Sequence, residues 1–218
     1  MRAVIFANGV LSVPVAAPLP GDLVFAADGG ARHCLALGII PAVVVGDFDS
    51  LEPAELAVLE RNGAEVVRHP ARKDFTDLEL AIQLAVERGM QEIQVLGALG
   101  ARWDQTLANL LLPAAVALQG VRISLVDGPQ EILLIRAGET LEIRGRPGDI
   151  VSLIPLNEDA AGISTAGLEY PLAGEPLYFG RTRGISNVLS AESGRVSLES
   201  GLLLCVVIHM GQAPGGFV

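Results

Sequence analysis

An α/β domain with a mostly parallel sheet, followed by a small antiparallel β-sandwich, is the architecture this sequence predicts. In the first part of the chain, apolar runs alternate with helical periods. That alternation implies parallel strands covered by helices on both faces. Beyond Gly128-Pro129 no long helical period recurs, and short apolar segments are separated by Gly, Pro and Asn, the pattern of a sandwich. A chain of 218 residues accommodates one large domain or two small ones. The boundary is placed at about residue 128, giving an α/β domain over 1–128 and a sandwich over 129–218.

The buried strands of the first part are Val4–Ala7, Leu23–Ala27, Ala42–Val45, Ile93–Leu96 and Ile123–Val126, with a weaker one near Glu65–Val67. Asp28-Gly29-Gly30 opens a helix after the second strand. Pro53 suits a first helical position, and Gly63 stops that helix. Thr76-Asp77-Leu78-Glu79 reads as a capping box for a helix ending near Gly89. Leu107, Leu110, Leu111, Ala114 and Leu118 share one face of a further helix, which Pro113 kinks and Gly120 closes. In the second part the strands are Ile132–Ile135, Leu141–Ile143, Ile150–Ile154, Leu177–Phe179, Val196–Leu198 and Leu202–Ile208. The tail Gly211–Val218 is expected to be loose.

Composition narrows the function. Half the residues are hydrophobic and few are aromatic, so Val, Leu, Ile and Ala fill the core. A formal charge of −10 speaks against nucleic-acid and anionic-membrane surfaces, which need clustered Lys and Arg. It leaves nucleotides open, because a metal and a few local cations can offset phosphate charge. Cys34 and Cys205 lack metal-ligand spacing and read as reduced, buried thiols. His33, His69 and His209 form no zinc pattern. The N-terminus has no signal-peptide anatomy, and Leu202–Ile208 is too short to span a bilayer. A cytoplasmic protein is the expectation.

Four segments place carboxylates beside glycines where strands end, along the rim at which open α/β sheets bind ligands. In Gly46-Asp47-Phe48-Asp49-Ser50 the two acids stand two apart. In an extended segment both point the same way, a half-site for Mg²⁺. An Asx-type turn accounts for the same residues equally well. In Lys73-Asp74-Phe75-Thr76-Asp77, Asp77 suits a helix N-terminus, where an acid contributes roughly 0.3–1 kcal/mol. That leaves Asp74 and Lys73 unexplained, and Lys73 could pair with a phosphate oxygen. Gly29 and Gly30 could present backbone N–H groups to an anion, with Asp28 facing a metal, a ribose or a hydroxyl, or simply capping the helix. In Gly100-Ala101-Arg102-Trp103-Asp104, the planar, permanently charged Arg102 suits phosphate, and Asp104 either caps the next helix or orients Arg102. No Walker A sequence is present.

Taken together, these motifs resemble the thiamine pyrophosphokinase family. The resemblance extends to Gly167-Leu168-Glu169-Tyr170-Pro171-Leu172 and Gly184-Ile185-Ser186-Asn187, so it covers nearly the whole chain. It implies an α/β catalytic domain, a C-terminal sandwich, and a homodimer with thiamine held where the subunits meet. It implies transfer of a pyrophosphoryl group from ATP to the thiamine hydroxyl, leaving AMP. By this likeness Asp47, Asp49 and Asp77 hold Mg²⁺, Arg102 binds phosphate with Asp104 assisting, and Ser186, Asn187 and Tyr170 meet thiamine. Gly29, Gly30, Lys73, Thr76 and Gly100 fall around the ATP phosphates. Asp28 or Asp74 is the candidate to accept the hydroxyl proton. The loop before Arg102 carries fewer glycines than is usual in the family, and Gln105 stands where a histidine is common. The rivals are a pyrophosphokinase acting on a pterin alcohol and a non-catalytic nucleotide or thiamine sensor.

Overall fold

The computed structural model describes residues 1–211 apart from 14, 16, 73, 101 and 117–119. Expectations for Lys73, Leu118 and the tail beyond 211 therefore lie outside the described residues. The described residues divide into two compact units, one over 1–128 and one over 129–211.

The first unit runs β1 (Arg2–Phe6), β2 (Leu23–Ala27), α1 (Gly30–Ala36), β3 (Val43–Gly46), α2 (Pro53–Arg61), β4 (Glu65–Arg68), α3 (Asp77–Glu87), β5 (Glu92–Leu96), α4 (Trp103–Val116) and β6 (Arg122–Asp127). Its strands lie in the order β6-β5-β1-β2-β3-β4, and every pairing among them is parallel. The central strands are apolar at nearly every position because both faces are covered. Val4, Phe6, Val24, Ala26 and Val44 pack with Ala31 and Cys34 of α1 and Leu59 of α2. The alternate residues Ile5, Phe25 and Val45 are equally buried and must face the other way. On that side α3 lies against β1, β2 and β3 with Leu78, Ala81, Ile82 and Ala85 buried. The chain steps outward from β1 to β4, then returns to the opposite side of β1 for β5. This reversal makes the carboxyl end of β1 the switch point of the sheet, the place where such sheets form their binding crevice.

Helix ends follow local chemistry. In α2 Pro53 sits at the first turn, and Glu52 and Glu55 cap each other's backbone, a reciprocal cap the sequence reading placed elsewhere. In α3 the Thr76 hydroxyl accepts the Glu79 N–H at 3.2 Å. The return arm of that expected box is not made; the Glu79 carboxylate accepts from the Gln83 amide at 3.5 Å. Pro113 lies inside α4.

The second unit contains β7 (Gln130–Arg136), β8 (Thr140–Arg144), β9 (Ile150–Pro155), β10 (Ala160–Ala166), β11 (Ala173–Leu177), β12 (Asn187–Val188), β13 (Ser193–Ser197) and β14 (Leu202–Ile208). One layer orders β12-β9-β14-β7 and the other β11-β10-β13-β8, all antiparallel. Leu133, Val151, Leu153, Leu203 and Cys205 of the first layer meet Ile143, Ile163, Leu177 and Val196 of the second. This is the expected sandwich. Three strands depart from expectation, among them the two-residue β12, which no apolar run announces. β11 ends at Leu177, where a strand was expected to begin, and Tyr178 and Phe179 are exposed. β10 was not anticipated at all: its one large apolar side chain is Ile163, and the register shifts beside Gly162 (φ +65°), which erases the alternation a strand normally shows.

A buried carboxylate braces this unit. Asp149 is 4% exposed. It accepts the Arg146 N–H at 2.9 Å, the Met210 N–H at 3.0 Å and a contact from His209 Nδ1 at 3.1 Å. Burial opposes its charge, yet these partners outweigh burial and hold its pKa below 3.8. Its stabilisation is therefore complete above that value and lost as pH falls through the lower native pKa. In denaturant titrations at stepped pH, Asp149→Asn is expected to be less stable than wild type at neutral pH. The gap should narrow below about pH 3.8; a gap that stays constant to pH 2 would contradict this account.

Candidate active site

The first unit's rim gathers three carboxylates. One oxygen each of Asp28, Asp47 and Asp49 lies within 4.8 Å of the others, and this is the acid cluster found among the described residues. Asp28 follows β2 directly. Its backbone is left-handed (φ +45°), its N–H is held by the Val45 carbonyl at 2.8 Å, and its side chain is 5% exposed. Oδ1 is buried without a hydrogen-bond partner, whereas Oδ2 accepts from Asn8 Nδ2 at 3.4 Å.

Asp47 and Asp49 converge for a reason other than the extended geometry expected of them. Phe48 between them adopts φ +64°, so the segment is a tight turn. The Asp49 N–H donates to Asp47 Oδ1 at 3.2 Å, and Ser50 Oγ donates to Asp49 Oδ1 at 3.1 Å. The Asx turn and the paired acids, weighed as alternatives, are one structure. The Phe48 ring is buried, and the Arg68 guanidinium lies 5.1 Å from its centroid, close enough for cation–π attraction.

Asp77 opens α3 beside the same strand end. A Cβ added to Gly46 would stand 3.2 Å from Asp77 Oδ1 and 3.1 Å from the Asp28 Cβ. The glycine thus leaves room for both acids beside the end of β3. Asp74 is exposed just before the helix. Gly29 and Gly30 are buried and explained by proximity: a Cβ on Gly30 would overlap the Phe6 carbonyl, and one on Gly29 would overlap the Asn8 amide.

The last rim loop follows β5. The Gly9 N–H reaches the Gly97 carbonyl at 2.8 Å and the Val10 N–H the Leu99 carbonyl at 3.0 Å, so this loop is tied to the end of β1. Gly97 and Gly100 have φ +67° and +80°. The Arg102 guanidinium grips Asp104 through two hydrogen bonds, Nε to Oδ1 at 3.1 Å and Nη2 to Oδ2 at 2.5 Å. The pair is exposed. Asp104 raises the Arg102 pKa, and Arg102 pulls the Asp104 carboxyl below its usual range.

In the second unit the structure joins Tyr170 to Asn187. The Asn187 amide accepts the Tyr170 N–H at 3.0 Å and donates to the Tyr170 carbonyl at 2.7 Å, and it also accepts the Val188 N–H at 2.9 Å. It is a structural clamp. Ser186 adopts φ +61° and its N–H donates to Ser152 Oγ at 3.0 Å. Tyr170 is 65% exposed. Gly184 passes over the Leu153 carbonyl with no room for a Cβ.

Cys34 and Cys205 are buried free thiols, each pushed up to about 12 by burial, so neither serves as a nucleophile. The sequence reading passed over Asn8, Gly9 and Arg68. The available signal was topological: the first strand of a doubly wound sheet is central, so the residues after it stand at the middle of the rim.

Comparison with known proteins adds an independent line. A family model described as the catalytic domain of thiamin pyrophosphokinase matches residues 20–125. A second, described as the vitamin B1 binding domain of the same enzyme, matches residues 139–203. Thiamine pyrophosphokinase of Bacillus subtilis is 32% identical over 179 residues, spanning 82% of this chain and 84% of that one. Thiamine pyrophosphokinase 1 of Oryza sativa is 30% identical over 178 residues, spanning 78% and 67%. The crystal structure of the B. subtilis protein superposes with a TM-score of 0.85 at 29% identity, over 96% of this chain and all of that one. The thiamin pyrophosphokinase from Geobacillus thermodenitrificans gives 0.82 at 28% identity, over 97% and 99%.

Proposed function

This chain belongs to the thiamine pyrophosphokinase family, and from that premise we propose that it transfers a pyrophosphoryl group from ATP to the hydroxyl of thiamine, producing thiamine diphosphate and AMP. The observation that carries the chemistry is the convergence of Asp28, Asp47 and Asp49 at the rim of the first unit. Like charges about 4 Å apart repel by roughly 1 kcal/mol in water and about 4 kcal/mol at an effective dielectric of 20. The buried, unpartnered Asp28 Oδ1 adds an unmet demand for a positive partner. These hard oxygen donors fit Mg²⁺. Asp28, Asp47 and Asp49 would hold it, with Asp77 alongside. When bound, it neutralises charge on phosphate oxygens.

The protein's own groups then position the reactants, which is most of what phosphoryl transfer requires. Arg102 takes phosphate oxygens with its fork, released from Asp104 or shared with it. Gly29, Gly30, Thr76 and Gly100 are the residues assigned to the nucleotide phosphates, and Lys73, outside the described residues, is assigned to them by the family resemblance alone. The thiamine oxygen attacks the β-phosphorus, the bond to the bridging oxygen breaks, and AMP departs with that electron pair. With Asp28 committed to the metal, Asp74 is the carboxylate that accepts the hydroxyl proton.

Thiamine is a cation. The exposed Tyr170 ring offers it roughly 0.5–2 kcal/mol of cation–π attraction. Ser186 contacts it, and Asn187 shapes that pocket by clamping Tyr170. The working assembly is a homodimer with thiamine between subunits; the exposed Tyr178 and Phe179 of the second unit suit such an interface. Among the described residues no helix is long and apolar enough to cross a membrane, and the cytoplasm, which holds ATP and Mg²⁺, is the proposed compartment.

Protein incubated with Mg²⁺, ATP and thiamine should form AMP and thiamine diphosphate in equal amounts. ADP as the nucleotide product, or no product, would refute the assignment.

A further inference from the structure

Asn8 stands at the carboxyl end of β1, the switch point of the sheet, and its amide connects two of the loops that carry the acids. Nδ2 lies 3.4 Å from Asp28 Oδ2 and 3.2 Å from Ser50 Oγ. The Ser50 hydroxyl lies 3.1 Å from Asp49 Oδ1 and donates to it. Having spent its proton there, that hydroxyl can only accept from Asn8. The orientation of the amide is dictated as well, since a carboxylate only accepts and so must face the NH₂ end. The amide oxygen then points to Gly29, where any side chain would overlap it.

We propose that Asn8 is a positioning residue for the metal site: one N–H holds Asp28 directly, and the other holds Asp49 through the Ser50 hydroxyl. The inference rests on reading the acid cluster as a metal site. Its logic is that of groups that orient metal ligands by hydrogen bonding. With Oδ2 of Asp28 engaged by Asn8, the free Oδ1 is turned to the cation. Asp49 is aimed by a relay whose members strengthen one another. A neutral donor suits this position, because a cation would compete with the metal and an acid would add a further negative charge.

The test is direct binding of Mn²⁺ to the full chain, followed by electron paramagnetic resonance, for wild type, Asn8→Ala, Ser50→Ala, the double variant and Asp28→Ala. Asn8 is exposed, so its loss leaves the core unchanged. Asn8→Ala is expected to raise the Mn²⁺ Kd about tenfold and Ser50→Ala by less. The double variant should lose less than the product of the two, because they share the Asp49 relay. Saturating metal should restore kcat in Asn8→Ala, a recovery that a merely structural role would not produce. Wild-type Mn²⁺ affinity in Asn8→Ala, alongside lost binding in Asp28→Ala, would overturn this inference and leave the metal reading standing. Wild-type affinity in Asp28→Ala would overturn both.

Discussion

Asp49→Ala is expected to remain folded and to lose about 10³-fold or more in turnover, about 4 kcal/mol of transition-state stabilisation. The two halves of this expectation come from the same geometry. Asp49 is exposed and within 4.8 Å of two other acids, so deleting it relieves repulsion and removes no packing. Stability should be unchanged or up to about 1 kcal/mol higher. Activity should collapse because a cation left with fewer carboxylates is neither held nor centred on the phosphates. The measurement is AMP release by a variant whose circular dichroism and unfolding temperature match wild type. Near-normal turnover in such a protein would end the metal assignment.

Gly30→Ala should do the reverse and damage the fold first. The added methyl would overlap the Phe6 carbonyl oxygen and stand 2.6 Å from its carbon. Phe6 lies in β1, which is hydrogen-bonded to β2 on one side and β5 on the other, so that backbone has nowhere to retreat. Overpacking of this kind costs about 3 kcal/mol, enough to lower the melting temperature of a chain this size by roughly 10 °C. Activity should fall too, because the same turn carries Asp28. Gly38→Ala is the control. Gly38 has φ +69° and open space around it, so an alanine there bears only the cost of a left-handed residue, about 1–2 kcal/mol. Equal melting temperatures for the two variants would show that close approach is not what fixes Gly30.

The first unit was legible in the sequence because its strands are buried on both faces and read as uninterrupted apolar runs. Val43, Val44 and Val45 could hardly be anything else. The second unit was legible only where alternation survived. β10 is held by its neighbours and by one isoleucine, and the burial of such a side chain contributes about 1.5–3 kcal/mol, more than its weak local preference opposes. β12 is two residues long and has no pattern to read. In the site, the three acids were all candidates, but the cause of their meeting was hidden. The left-handed Phe48 makes the turn, and a phenylalanine gives no local hint of that conformation. Asn8 was invisible for a deeper reason: a lone amide has no spacing, and its meaning arises only when the topology sets β1 at the centre of the rim.

The grip of Asp104 on Arg102 bears on how the substrates arrive. The chain as a whole is strongly negative, and this exposed guanidinium is already neutralised by its neighbour, so it cannot act as a long-range beacon for polyanions. Nucleotide must diffuse in against the field, while thiamine is drawn along it. Stopped-flow association rates should therefore respond oppositely to added salt, rising for the nucleotide and falling for the vitamin as ions shorten the reach of the field.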